Sequence, residues 1–272
     1  MTGLGSRFVT AGYKDYKPMI EILNKPVIAY LLSMFKPSDD IHILLRSDFY
    51  EDKLMVDYLL SLHPNIKVHA SPMHKKGPVY TLAQHYSILS KKDPILVSYC
   101  DYYMHWDYSN FVTQCKINLY DGAIPCYTGF HPHLLHQDNV YAACKVDEKM
   151  QLIEIREKHS FMADKNKDYH SAGAYYFRNR EILIDYFHQL LMYGPTLNGE
   201  YYVSLVYNRM VQNGLKVWVD DKISHFCQWG TPKDMEESIN GLKKIINKDE
   251  IEDSESHLYW KNFLKIEQKK TL

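Results

Sequence analysis

The sequence predicts an α/β fold built on a mixed sheet, and three observations lead there. Short apolar runs bounded by turn residues stand at 41–46 (IHILLR) and 95–99 (ILVSY), as expected of parallel strands covered on both faces. Helical patterns lie between them. The middle of the chain is richer in strand patterns than in helical ones, so the sheet is mixed.

Pro26 opens the first helical pattern, over 26–35, where proline suits the first turn. After the strand at 41–46, helical patterns cover 50–62 and 80–90, and the strand at 95–99 follows. Strands are expected at 123–127, 140–146, 152–156 and 172–177, then helices at 181–192 and 201–213. A short strand over 216–219 and a helix over 232–247 complete the pattern. The chain divides into a main domain, 1–247, and a charged tail, 248–272, whose weak helical pattern suits either a docking helix or a fraying end. A glycine-rich turn starts at Gly3, although such turns normally follow a central strand. The expectation is therefore a sheet that lacks its first strand, with that central position vacant or filled by another segment.

Of 272 residues, 32 are Lys or Arg and 33 are Asp or Glu, a net charge of −1 that argues against a dedicated nucleic-acid binder. No apolar run reaches the length of a membrane span, and the start lacks the basic and apolar stretches of a secretory signal, so a cytoplasmic protein is expected. Cys100, Cys115, Cys126, Cys144 and Cys227 form no CxxC pair and read as reduced, mostly buried thiols. His131, His133 and His136 (HPHLLH) have no carboxylate or cysteine partner nearby and read as loop histidines rather than zinc ligands. Neither a nucleophile elbow nor a P-loop is present.

Chemistry concentrates in a few segments. In Gly3-Leu4-Gly5-Ser6-Arg7-Phe8 the glycines let main-chain N–H groups approach a phosphate chain, and Arg7 adds a forked donor. Lys17-Pro18 adds a point charge suited to a transferring phosphorus. Asp101 ends an apolar strand, where open α/β sheets bind ligands, and a carboxylate there can hold Mg²⁺ against phosphate oxygens. Asp107 reads as structural.

The order of these segments resembles the nucleotidyltransferases that make nucleoside-diphosphate sugars and related activated alcohols, whose signature is G-x-G-[ST]-R, a spacer, then K-P. Further matches are Lys76-Gly77, Asp101, Glu157-Lys158, Asn198-Gly199-Glu200-Tyr201-Tyr202 and Gly230-Thr231-Pro232-Lys233-Asp234, so the resemblance spans about residues 1–240. It implies a three-layer Rossmann-like mixed sheet of the A-type glycosyltransferase and nucleotidyltransferase kind. It implies that Gly3, Leu4, Gly5, Ser6, Lys76 and Gly77 bind the nucleotide, and that Arg7, Lys17 and Asp101 are catalytic, with Mg²⁺ as cofactor. Glu157, Lys158, Asn198 and Glu200 would bind a phosphorylated acceptor, with Arg156 and His159 flanking Lys158; Asn198 and Glu200 also suit a helix start. The partners implied are a nucleoside triphosphate and a phosphorylated small molecule, with no nucleic acid or membrane, and a homo-oligomer is compatible. The branch resembles bacterial capsule and surface-polysaccharide enzymes and cytidylyltransferases of small phospho-alcohols, which favours CTP. Where family members carry a second metal-binding Asp, this chain has Gln228, and Asp220 or Asp221 stands in reserve, Asp220 first. Two alternatives remain: a metal-dependent glycosyltransferase, although Asp101-Tyr102-Tyr103 lacks the D-x-D pattern, and a non-catalytic nucleotide-binding subunit.

Overall fold

Apolar β-rich segments in the computed structural model, which describes residues 1–3, 5–135, 141–248 and 254–270, pair into one large sheet and three small ones. The chain begins with α1 (Ser6–Thr10), a hairpin of β1 (Glu21–Ile22) and β2 (Lys25–Pro26), and α2 (Val27–Leu32). Then come β3 (Ile41–Arg46), α3 (Ser47–Tyr50), α4 (Lys53–Ser61), β4 (Ile66–Ser71) and α5 (Pro78–Ala83). The middle holds β5 (Ile95–Ser98), β6 (Tyr102–His105), α6 (Tyr108–Ile117), β7 (Gly122–Tyr127), β8 (Ala143–Val146) and β9 (Leu152–Arg156). It continues with β10 (Tyr169–Ser171), β11 (Ala174–Phe177), α7 (Arg180–Tyr193) and α8 (Ser204–Gln212). Last are β12 (Val217–Asp220), β13 (His225–Gln228), α9 (Pro232–Ile246) and α10 (Glu255–Lys270).

The large sheet runs β5-β11-β7-β10-β8-β9, with β12 parallel to β7. The α/β class and mixed sheet read from the sequence are therefore observed. β10 and β11 are two halves of one bent strand: β11 pairs with β5 and with the start of β7, β10 with β8 and the end of β7. The single strand expected over 172–177 starts earlier and is interrupted at 172–173. β6 and β13 form an antiparallel ribbon that was not anticipated, and β4 was not anticipated either.

β3 and β4 form a separate parallel pair. Among the described residues no ladder joins β3 to β5, yet both lie in one layer. Ile43, Leu45 and Leu96 pack into one core, while Leu44, Ile95 and Val97 pack into the other. Met1 reaches the edge of β3 away from β4: its amine donates to the Leu44 carbonyl at 2.6 Å, and its carbonyl accepts from the Arg46 N–H at 3.3 Å. Met1 thus pairs by two main-chain bonds with the edge of β3 that faces away from β4.

Two helical expectations are corrected by local chemistry. The pattern at 50–62 breaks at Asp52, whose carboxylate accepts from the Leu54 and Met55 N–H groups and starts α4 afresh. The pattern at 201–213 starts only at Ser204, because Asn198 and Gly199, with φ of 53° and 77°, turn a two-residue hairpin closed by Leu197 and Glu200. Asn198 is therefore a turn residue and not the cap of α8, whose N-cap is Val203. In the tail, α10 packs against α9 and buries Tyr259, Trp260 and Phe263; the Trp260 indole donates to Glu237 at 2.9 Å.

Candidate active site

Lys17 opens a 3-10 turn, Lys17–Met19, whose Pro18 is buried. Its ammonium lies 2.6 Å from Asp101 Oδ2, donates to the Gly230 carbonyl at 2.8 Å, and sits 5.1 Å from the centre of the Phe8 ring. Side-chain exposures of 16% for Lys17 and 25% for Asp101 leave the pair partly open to solvent. Asp101 follows β5, and its own carbonyl accepts the Trp229 N–H at 3.0 Å. Trp229 is in turn anchored by its indole N–H to Ser238 Oγ on α9, at 3.1 Å. The ends of β5 and β13 are thereby locked together beneath the lysine.

Gly3 and Gly5 lie under open space, since a Cβ on either would meet nothing within 4 Å. Leu4 lies outside the described residues. Ser6 and Arg7 are exposed at the start of α1. Thr2 Oγ1 stands 3.1 Å from Thr81 Oγ1, joining this stretch to α5. Gly77, at φ +83°, is pressed against another main chain: a Cβ there would fall 2.8 Å from the Tyr201 nitrogen. The Tyr201 N–H donates to the Lys76 carbonyl at 2.9 Å, so Lys76-Gly77 is docked on the Glu200-Tyr201 segment. The Lys76 ammonium rests over the Tyr80 ring, 4.4 Å from its centre.

Glu157 and Lys158 follow β9. Burial raises the Glu157 carboxyl above its ordinary range, against the Ser204 hydroxyl, which donates to it, and the nearby Lys158 charge. Lys158 is exposed, at φ 53°, with its N–H donated to the Tyr141 carbonyl at 3.0 Å. The Tyr202 phenol, raised to about 12 mainly by burial, feels Glu200, Glu157 and Arg7. Arg7, Glu157, Glu200 and Tyr202 therefore share one neighbourhood, and Lys17, Asp101 and Gly230 share another. The Tyr99 phenol, which feels both Glu157 and Tyr202, lies two residues before Asp101 and is a link between them. Asn198 is exposed at its turn.

Asp220 ends β12 with 5% exposure and an Oδ1 that has no hydrogen-bond partner. Burial raises its pKa to about 6, and its strongest charged neighbours are Asp221, Lys222 and Asp107. Asp107 caps α6 by accepting from the Asn110 N–H at 2.9 Å. Gln228 pairs with Tyr102 across the β6–β13 ribbon. Among the described residues no group of three or more His, Cys, Asp or Glu is arranged to hold a metal ion. A lone partly open carboxylate, Asp101, suits a magnesium ion that brings waters and substrate phosphate oxygens as its other ligands. His131 and His133 are buried around Tyr127: His133 bonds the Tyr127 hydroxyl, and both rings pack on it; His136 lies outside the described residues. The five cysteines are free thiols, four of them buried.

Sequence reasoning missed Tyr141, Ser204 and the Gly230 carbonyl. A main-chain acceptor carries no residue-type signal, and Tyr141 and Ser204 reach the site only through tertiary pairing.

No family model matches the chain, and no curated relative matches it. Solved structures do. A nucleoside-diphosphate-sugar pyrophosphorylase from Vibrio cholerae RC9 superposes with a TM-score of 0.71 at 19% identity, covering 88% of this chain and 98% of that one. A UDP-glucose pyrophosphorylase complexed with UDP-glucose gives 0.67 at 13% identity, covering 90% and 96%. At such identities the likeness is one of fold, and the fold this chain adopts is that of the nucleotide-sugar pyrophosphorylases.

Proposed function

We propose that this protein is a nucleotidyltransferase that joins the nucleoside monophosphate of a nucleoside triphosphate to a phosphorylated sugar or small phospho-alcohol. The observation that carries the reading is the 2.6 Å contact of Lys17 with Asp101 beside the open turn at Gly3 and Gly5, on a pyrophosphorylase fold. A phosphomonoester oxygen of the acceptor attacks the α-phosphorus, the bond to the bridging oxygen breaks, and pyrophosphate leaves with the electron pair. An ionised phosphate attacks without a protein nucleophile, so the chain's task is alignment and charge neutralisation.

The main chain at Gly3 to Ser6 holds the triphosphate, and Arg7 binds the end that becomes pyrophosphate. Lys17 neutralises charge developing at the α-phosphoryl group. Asp101 would hold Mg²⁺, which when bound neutralises phosphate oxygens. Lys158 receives the acceptor phosphate, while Lys76 and Gly77 line the nucleotide side. Residues 1–247 form the catalytic unit, with 248–272 as an appendage. CTP is the favoured nucleotide and surface-polysaccharide assembly the favoured setting, both on the sequence resemblance. Among the described residues no helix is long and apolar enough to cross a membrane.

Gln228, a neutral amide at the second-carboxylate position, favours the non-catalytic reading as the competitor. The test is pyrophosphate release from four nucleoside triphosphates paired with sugar phosphates and small phosphomonoesters. Magnesium-dependent release with one pair is expected. A folded protein that is silent with every pair would sink the reading in favour of nucleotide binding alone.

A further inference from the structure

We propose that Tyr141 and Asp234 are positioning residues. They fix the peptide of Gly230 so that its carbonyl, with Asp101, holds the Lys17 amine, and the Tyr141 main chain ties that corner to Lys158.

Asp234 is the third residue of α9, 3% exposed, and closes a capping box with Thr231. Its Oδ2 accepts from the Thr231 N–H at 3.0 Å and the Thr231 hydroxyl at 2.6 Å. The capping box itself needs only the first of these and the reciprocal bond, in which the Asp234 N–H donates to Thr231 Oγ1 at 3.2 Å. Here the same oxygen also accepts the Tyr141 hydroxyl, which arrives from 93 residues away. That phenol packs directly on Gly230: a Cβ on Gly230 would fall 3.0 Å from the Tyr141 oxygen and 2.6 Å from Gln228 Nε2. Gly230 is thus held from one side by the phenol and from its C-terminal neighbour by the cap, and its carbonyl points at Lys17, 2.8 Å away. The carbonyl of Tyr141 accepts the Lys158 N–H at 3.0 Å. One residue therefore touches both the support of Lys17 and the support of Lys158. A shift of Tyr141 moves the two cations relative to each other.

Only the kinetic part of the test rests on the transfer reading. Tyr141→Phe removes a single oxygen, Asp234→Asn keeps the side chain's size, and Tyr193→Phe, at an exposed position on α7, is the control. The first readout is the rate of reductive methylation at Lys17, located by mass spectrometry without substrates. Several-fold faster labelling is expected in both variants, with the control equal to wild type. The second is kcat for pyrophosphate release, expected to fall about tenfold with the triphosphate KM unchanged, a loss of about 1.4 kcal/mol. Unchanged Lys17 labelling in folded Tyr141→Phe overturns the proposal, whatever Asp234→Asn does. Faster labelling with an unchanged kcat also overturns it. Faster labelling in a protein whose wild type is silent with every triphosphate upholds the positioning and defeats the transfer reading instead.

Discussion

Lys17 and Arg7 come from the same short N-terminal stretch and are held in opposite ways. Lys17 is clamped by a carboxylate and a carbonyl from distant parts of the chain. Arg7 is exposed and, like Lys158, has no ion pair among the described residues. A clamped cation meets developing charge with no reorganisation at the moment of reaction. An unpaired one must give up about 2 kcal/mol of rotamer freedom, and it recovers this when a multiply charged anion arrives. On the proposed transfer reading, this contrast assigns Lys17 to the chemical step and Arg7 and Lys158 to binding.

The largest effect expected is therefore on rate. Lys17→Ala lowers kcat for pyrophosphate release by about a hundredfold or more, the 2.7–4 kcal/mol of a lost preorganised donor, with circular dichroism unchanged. A purified variant turning over at the wild-type rate would break the comparison outright.

Next comes acid. β13 delivers Gly230 to Lys17, and the core behind it is lined by buried histidines. Burial lowers His131 to about 4 and His225 to about 3, below the ordinary value near 6.5. The unfolded chain then takes up protons first as the pH falls. This part of the stability is complete above about pH 6.5 and is lost progressively toward the folded values, by about 2 kcal/mol per histidine at pH 5. Asp220, raised to about 6, has the opposite sign and offsets part of that loss below pH 6. Urea unfolding at pH 7.5 and pH 5, in the wild type and in His225→Gln, isolates the histidine part, and the same midpoint shift in both would remove His225 from the account.

The smallest effects sharpen the contrast most. Arg7→Ala raises KM for the triphosphate about tenfold, and Lys158→Ala raises KM for the phosphorylated acceptor about tenfold, or about 1.4 kcal/mol each. In both, kcat stays within a few-fold of wild type. Steady-state kinetics in each substrate decides the matter, and a fall in kcat matching that of Lys17→Ala would erase the distinction between clamped and free cations.

The parts legible in the sequence are those encoded locally. Lys17 and Asp101 stand in short patterns and meet in the structure, whereas Arg7 lies near Tyr202 instead; the strands at Ile41–Arg46 and Leu152–Arg156 follow from apolar runs. What stayed hidden depends on pairing at a distance. The β6–β13 ribbon brings Trp229 to Asp101 only after residues more than a hundred positions apart have met. Asn198, which suits an acceptor contact or a helix start by residue type, sits instead in a tight Asn-Gly hairpin, since Asn-Gly serves caps and hairpins alike.

The bent strand of β10 and β11 has a consequence for distance. β11 carries β5, which leads to Asp101, and β10 carries β8, which leads through β9 to Lys158. The donor and acceptor ends of the candidate reaction hang from adjoining halves of one backbone, with the gauge between them set by main-chain ladders rather than by flexible side chains. On the proposed transfer reading, a span measured out in this way keeps its length when surface loops change, so that a different acceptor would call for changes in side chains and loops rather than in the spacing of Asp101 and Lys158.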